Sequence, residues 1–217
     1  ADQYPDISPY AYCAWNPLNR IDPDGRIIIA ISKDAQKTIL NTLPKEVRGN
    51  IHFNEYGILS IRNDNSNSIN LQSLKTLSES PYIIITDVSN SITFKDECGH
   101  VSTIDMGPVN VVSDFGGSFG MNTDEVGWLG QTQTPGALVD KYNSPDDNIH
   151  ITINKKLSAK GKSQIFSHEA YGHVLMYILG EDHYHHPKGN YETNEALRVR
   201  IYEAIKETIE NMQSDDK

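Results

Sequence analysis

"SHEAYGHVLMYILGEDHYHH", Ser167–His186, decides how this chain is read. It carries five of the chain's eight histidines and opens on a His-Glu pair. With Ile165 just upstream, Tyr171, Val174, Leu175, Ile178 and Leu179 supply apolar positions for the buried face of a helix. His168 and Glu169 therefore sit on an element that must be largely buried. A charged glutamate there has a desolvation cost unless something neutralises it. A bound zinc ion would do so.

The spacing of the histidines is unusual. In the zinc-protease pattern H-E-x-x-H they are four residues apart, whereas His168 and His173 are five apart. On a straight helix, residues four apart lie about 40° from each other and residues five apart about 140°. Two such imidazoles could not reach one metal. A one-residue bulge of π type removes the conflict, and such insertions recur at functional sites. Gly172 is the expected place for it, because its backbone is the least restricted.

"HEAYGH" resembles the H-E-x-x-G-H motif of dipeptidyl peptidase III, a zinc peptidase. That resemblance implies that His168 and His173 bind Zn2+ and that Glu169 activates water. A zinc hydrolase needs a third protein ligand and an open position for water. Glu195, 22 residues beyond His173, is the first choice. Asn194-Glu195 resembles the Asn-Glu pair of thermolysin-like gluzincins, whose glutamate on the next helix is the third ligand. Dipeptidyl peptidase III also uses a downstream helical glutamate, but within Glu-Glu-Cys-Arg-Ala-Glu and much further along. His183, in "GEDH", is the rival, similar to the Gly-x-x-His of metzincins. There the glycine follows the second histidine by three residues. Gly180 follows His173 by seven, which carries the turn roughly 10 Å past the metal. Glu192 is a further candidate. His185, His186 and Tyr191 are candidates to line the loop and hold an oxyanion. Glu169, His183 and Tyr191 make up the expected catalytic set. The bland alternative is a capped helix with surface histidines, and it is the convergence of His-Glu, Gly-His, a His-rich loop and Asn-Glu that argues against it. No Gly-x-Ser-x-Gly nucleophile motif is present.

The N-terminal residues differ from the rest. "YPDISPYAYCAWNPLNRIDPDGR", Tyr4–Arg26, closely resembles the end of the core domain of RHS-repeat (YD-repeat) proteins. In that family a β-shell encloses a variable C-terminal domain, often a toxin, that begins just after this motif. Many members cut themselves after Asp-Pro-x-Gly-Leu. Asp22, Pro23 and Gly25 match that pattern, and Arg26 stands where the leucine would be. The stretch from "KYNSPDDNIHITIN" to the histidines also looks like the C-terminal domains of other RHS proteins with a His-Glu motif. The division expected is residues 1–25 as the extended end of an RHS core and 26–217 as a metallopeptidase toxin domain. The resemblance further implies an effector that is secreted or delivered to the cell surface. Its expected partners are a peptide or protein substrate and the RHS shell, with room for a cognate immunity protein.

Between these ends the chain reads as short elements. "RIIIAIS" is a strand rich in β-branched residues. "SKDAQKTILNTLPKE" is a helix with Ser32 or Asp34 as cap and Pro44 near its end. "NIHFNEYGILSIRN" is a hairpin around Asn54–Gly57, and "NLQSLKTLSES" a helix. "YIIITDVS" is a buried strand with "SITFKD" as its expected partner. "PVNVVSDFGGSFGMN" is a strand leading to a glycine-rich loop without the Gly-Lys-Ser/Thr of a phosphate loop. "DNIHITIN" alternates strictly, and Asn148–Asn154 is the expected sheet edge for an extended peptide. Helices over about 160–179 and 194–212 close the chain. The fold class expected is α+β, a mainly antiparallel sheet with two C-terminal helices carrying a gluzincin-like zinc site.

Bulk properties limit the alternatives. A formal net charge of −10 disfavours nucleic acid, whose binding rests on phosphate neutralisation. Lys155, Lys156, Lys160 and Lys162 form the one dense basic patch and read as a solvated loop. No apolar run approaches the roughly 18 residues of a membrane span. Ala1–Asn16 lacks the basic start and apolar core of a signal peptide. Cys13 and Cys98 form no Cys-x-x-Cys pair, so a thiolate zinc site is not expected, and their spacing leaves a mutual disulfide open. Two other functions stay open: a metal-dependent hydrolase of a non-peptide substrate, and a catalytically silent adhesion tip with a structural metal.

Overall fold

The structure is a computed structural model that describes residues 27–62, 66–96, 98–109, 128–135, 143–184 and 194–215. The expected RHS-core end, residues 1–25, lies outside the described residues, as do Cys13, Tyr191, Glu192, His185, His186 and most of the glycine-rich loop.

Eight strands and five α-helices are described. β1 (Ile27–Ala30), β4 (Ile83–Ser89), β8 (Ile149–Asn154) and β7 (Gly130–Gln133) form a four-stranded sheet in the order β1-β4-β8-β7. β2 (Ile51–Phe53) pairs with β3 (Leu59–Ile61), and β5 (Ser91–Lys95) with β6 (Val101–Asp105). The helices are α1 (Lys33–Asn41), α2 (Ile69–Ser78), α3 (Ala159–Phe166), α4 (Leu175–Ile178) and α5 (Glu195–Asp215). A π-helical segment, Ser167–Val174, joins α3 to α4 without a break. A 3-10 turn, Lys45–Asn50, leads into β2.

The mixed α and β content is as expected; the main sheet is not. β2/β3, β5/β6 and β7/β8 are antiparallel, but β1/β4 and β4/β8 are parallel. The expected antiparallel pairing thus holds for three of the five strand pairs, and the two parallel pairs lie within the sheet that carries the core. A parallel pair requires a long crossover, and the chain supplies one. α1, the β2/β3 hairpin and α2 all lie between β1 and β4. The expected pairing of "SITFKD" with "YIIITDVS" is also wrong: β5 pairs with β6 in a separate ribbon.

Register explains the core. Ile28 stands beside Ile84, and Ile84 beside Ile149. One face of the sheet thus presents Ile28, Ala30, Ile84, Val88, Ile149, Ile151 and Ile153 to Ile39, Leu71, Leu74, Phe166 and Tyr171 of the helical layer. Each large side chain fully buried there contributes about 1.5–3 kcal/mol. β8 does not alternate as expected. It is central, flanked by β4 and β7, and Thr152 and Asn154 are buried as well as the isoleucines. Asn154 meets that burial with hydrogen bonds to the carbonyls of Trp128 (2.9 Å) and Gly107 (3.4 Å).

Local signals place the remaining elements well. Ser32, and not Asp34, caps α1, its hydroxyl accepting from Ala35 N at 3.1 Å. The β2/β3 turn is built on Asn54, whose Oδ1 accepts from Tyr56 N and Ile58 N, both at 2.9 Å. Gly57 sits there at φ +78, and a Cβ would come within 2.2 Å of the Ala30 carbonyl oxygen. No other residue fits. Among the described residues, no helix is long and apolar enough to cross a membrane. The basic patch is only partly solvated: Lys162 pairs with Asp34 at 2.6 Å and Lys156 donates to the Gly107 carbonyl at 3.0 Å.

Candidate functional site

The site is organised by the π-helical segment. With hydrogen bonds running i to i+5, residues five apart come onto one face. His168 and His173 accordingly meet, Nε2 to Nε2, at 3.2 Å, with ring centroids 5.0 Å apart. The bulge expected from the spacing is present and spans eight residues.

Gly172 has a different role from the one expected. It is not among the positive-φ glycines, so its backbone freedom is not what the bulge uses. A Cβ on Gly172 would lie 2.5 Å from Ile201 Cγ1 and 3.1 Å from Ile201 Cδ1. The glycine lets α5 close onto the π segment, and Leu197 and Ile201 of α5 are buried there.

A buried polar seam ties the π segment to the end of α1, to α2 and to α5. Tyr171 Oη lies 2.8 Å from Thr42 Oγ1. Thr42 already donates to the Ile39 carbonyl at 2.7 Å, so Tyr171 is the donor. Burial pushes the Tyr171 phenol far above its ordinary range, which keeps that proton in place. Ser167 Oγ meets Thr208 Oγ1 at 2.7 Å, and Asn70 Nδ2 reaches Thr208 Oγ1 at 2.9 Å and the Thr42 carbonyl at 2.9 Å. From α5, Glu207 accepts from Ser68 Oγ and from the backbone N–H groups of Ile69 (2.8 Å) and Asn70 (3.2 Å). That carboxylate caps the N-terminus of α2 and ties it to α5. The pattern was not legible from sequence, because its members are scattered from position 42 to 208.

Glu169 is 8% exposed. Its Oε2 accepts from Thr132 Oγ1 of β7 at 2.8 Å. Gly130, also on β7, lies so close that a Cβ would be 3.4 Å from Glu169 Cγ and 2.3 Å from Ile165 Cγ2. Thr132 and Gly130 are thus contributors that sequence reasoning missed. β7 is the terminal strand of the four-stranded sheet. The expected edge, Asn148–Asn154, is the interior strand β8, already paired on both sides.

His173 Nδ1 lies 2.5 Å from the His183 carbonyl oxygen. A carbonyl only accepts, so Nδ1 carries a proton, and in the neutral form of the ring the lone pair is then at Nε2. His183 enters the site through its backbone; its ring packs against Tyr177 and Tyr184, with centroids 5.2 Å and 4.3 Å away. Tyr177, half-buried beside it, donates to the Pro135 carbonyl at 3.2 Å. Burial first, and then Tyr82, push its phenol up to about 12.

Glu195 is not brought to the histidines. It opens α5 with its side chain 64% exposed and paired to Arg198 Nε at 3.0 Å. Among the described residues, no Asp, Glu, His or Cys adds a third ligand atom within 4.8 Å of both His168 and His173. A set that does meet that distance is Asp96, Cys98 and His100, at the β5/β6 turn. Cys98 there is exposed with a free thiol. Asp96 Oδ1 accepts from Cys98 N (2.9 Å) and His100 N (2.8 Å). These bonds hold the carboxyl of Asp96 below the usual carboxylate value, the one from His100 N most of all.

Comparison with protein-family models, with curated proteins and with solved structures finds no match for this chain.

Proposed function

We propose that the chain is a zinc-dependent hydrolase, a peptidase acting as the toxin or effector domain of an RHS-repeat protein. The observation that carries this reading is the 3.2 Å approach of His168 Nε2 to His173 Nε2. Two nitrogens each 2.0–2.1 Å from a tetrahedral zinc lie about 3.3–3.4 Å apart. The pair already stands within a few tenths of an ångström of that separation. The His173 Nδ1–His183 carbonyl bond is the outer-shell contact that metal-binding histidines use to fix tautomer and ring orientation. Two of the three protein ligands that a catalytic zinc takes are thus within reach of one ion among the described residues, and the third is not.

His168 and His173 hold the metal, and Glu195 is the third ligand in this reading, with His183 and Glu192 as the alternatives. Recruiting Glu195 requires release of its pair with Arg198, an exposed bond worth about 0–1 kcal/mol. When bound, zinc supplies a Lewis acid that polarises the scissile carbonyl and acidifies water. Glu169 takes the proton from the attacking water and passes it to the leaving amine. Thr132 aims that carboxylate by holding Oε2, which leaves Oε1 for the water. The extended substrate lies along the outer edge of β7, beside Glu169, pairing with its backbone as an added strand.

The test is metal content with peptide hydrolysis. The undisturbed, unchelated protein is expected to hold about one zinc, to cut peptide substrates, and to stop cutting when the metal is stripped. Absence of zinc together with failure to take up added zinc overturns the reading.

A further inference from the structure

Asn194 makes three hydrogen bonds that meet two different needs. Its Oδ1 accepts from Leu197 N at 3.1 Å, which caps the N-terminus of α5. Its Nδ2 donates to the Asp182 carbonyl at 2.7 Å and to the Tyr184 carbonyl at 3.1 Å. Those carbonyls belong to the residues on either side of His183, whose own carbonyl accepts from His173 Nδ1.

The segment is fixed from its start as well. Gly180, at φ +73, closes the preceding helix: its N–H reaches the Tyr177 carbonyl (3.0 Å), and the Glu181 N–H the Met176 carbonyl (2.9 Å). That is the double closure of a Schellman ending. Asp182 Oδ1 then accepts from Tyr184 N at 2.9 Å, forming a turn with His183 at its centre. A cap alone could be Ser, Thr or Asp. Of the good caps, only asparagine accepts with one atom while donating two hydrogens with another.

We propose that Asn194 is a positioning residue for His173. By holding the carbonyls that flank His183, it aims the His183 carbonyl at Nδ1. It thereby keeps His173 in the Nδ1–H tautomer with the Nε2 lone pair directed toward His168. It also joins the start of α5, and with it Glu195, to the loop that orients the ligand. The tautomer claim stands on geometry alone, and the effect on metal rests on the zinc reading.

The experiment compares Asn194→Asp and Asn194→Ser with the wild type. Both variants keep an acceptor for the cap of α5 and lose the two amide N–H donors; serine adds no charge beside the carbonyls, and its single hydroxyl proton cannot serve both of them. Two quantities are read: the zinc or cobalt(II) affinity by chelator competition, and the His173 ring tautomer by nitrogen-15 NMR of the metal-free chain. The expected result is near-wild-type melting, about 10–100-fold weaker metal binding, and loss of the single Nδ1–H signature. Wild-type affinity and an unchanged tautomer in both variants overturn the proposal. If the wild type itself takes no metal, the zinc reading fails, and the tautomer comparison still decides the role of Asn194.

Discussion

Tyr171 donates its phenolic proton to Thr42, 2.8 Å away, and so pins the middle of the π-helical segment to the C-terminal cap of α1. Tyr171→Phe removes one buried hydrogen bond and leaves Thr42 bonded to Ile39. The expected loss is about 0.5–1.5 kcal/mol, measured by urea unfolding. An unchanged unfolding midpoint would show that the tie does not hold the segment.

His168→Ala and His173→Ala are each expected to abolish tight zinc binding, because each removes one of the two nitrogens that meet at 3.2 Å. Elemental analysis of the purified variants checks this. Retention of one zinc per chain by either variant places the metal elsewhere, with Asp96, Cys98 and His100 as the next set to test.

Glu169→Gln keeps the shape of the side chain and the oxygen that accepts from Thr132, and removes the base. The variant is expected to fold, to hold zinc, and to lose both peptide hydrolysis and toxicity. Glu195→Gln is expected to weaken zinc itself. Zinc content and activity measured side by side separate the roles. Loss of zinc by the first and its retention by the second reverses the assignment.

Gly172→Ala places a methyl group 2.5 Å from Ile201 Cγ1. Overpacking of this kind costs about 1–3 kcal/mol. Ile201→Ala opens room for the added methyl, so the double variant should lose less stability than the two single losses added together. Strict additivity would show that α5 does not need the glycine in order to close on the π segment.

Acid should destabilise the start of β8. Burial raises the carboxyl of Asp146, but its bonds to the His150 ring (2.9 Å) and from Asn148 N (2.8 Å) outweigh that and hold it below the ordinary carboxylate value. A lowered native value means stability that is fully present above the unfolded value of about 3.9. It is lost as pH falls through the native one. Asp146→Asn should flatten the stability profile below about pH 4. Unfolding curves collected from neutral pH into that range provide the measurement, and an acid limb as steep as the wild type's would exclude this carboxylate.

The sequence by itself determined the local elements and the demand on the key helix. Ser32 before α1, Asn54 and Gly57 in the first hairpin, and the isoleucine-rich runs of β1 and β4 act over a few residues, and each is found where the pattern placed it. The five-residue spacing of His168 and His173 required a π-type bulge, because helical geometry allows those rings to meet in no other way, and the bulge is there. Tertiary structure decided the rest. Strand order and direction depend on crossovers, and hydrophobic period carries no record of them. Hence, among the described residues, β8 is a buried central strand, β7 the last strand of its sheet, and β5 a partner of β6. Thr132 reaches Glu169 across 37 positions, and Asn194 reaches the His183 loop across about ten. Such contacts arise when the sheet and α5 close on the π segment, since a side chain's partner is fixed by packing and not by its neighbours in the chain.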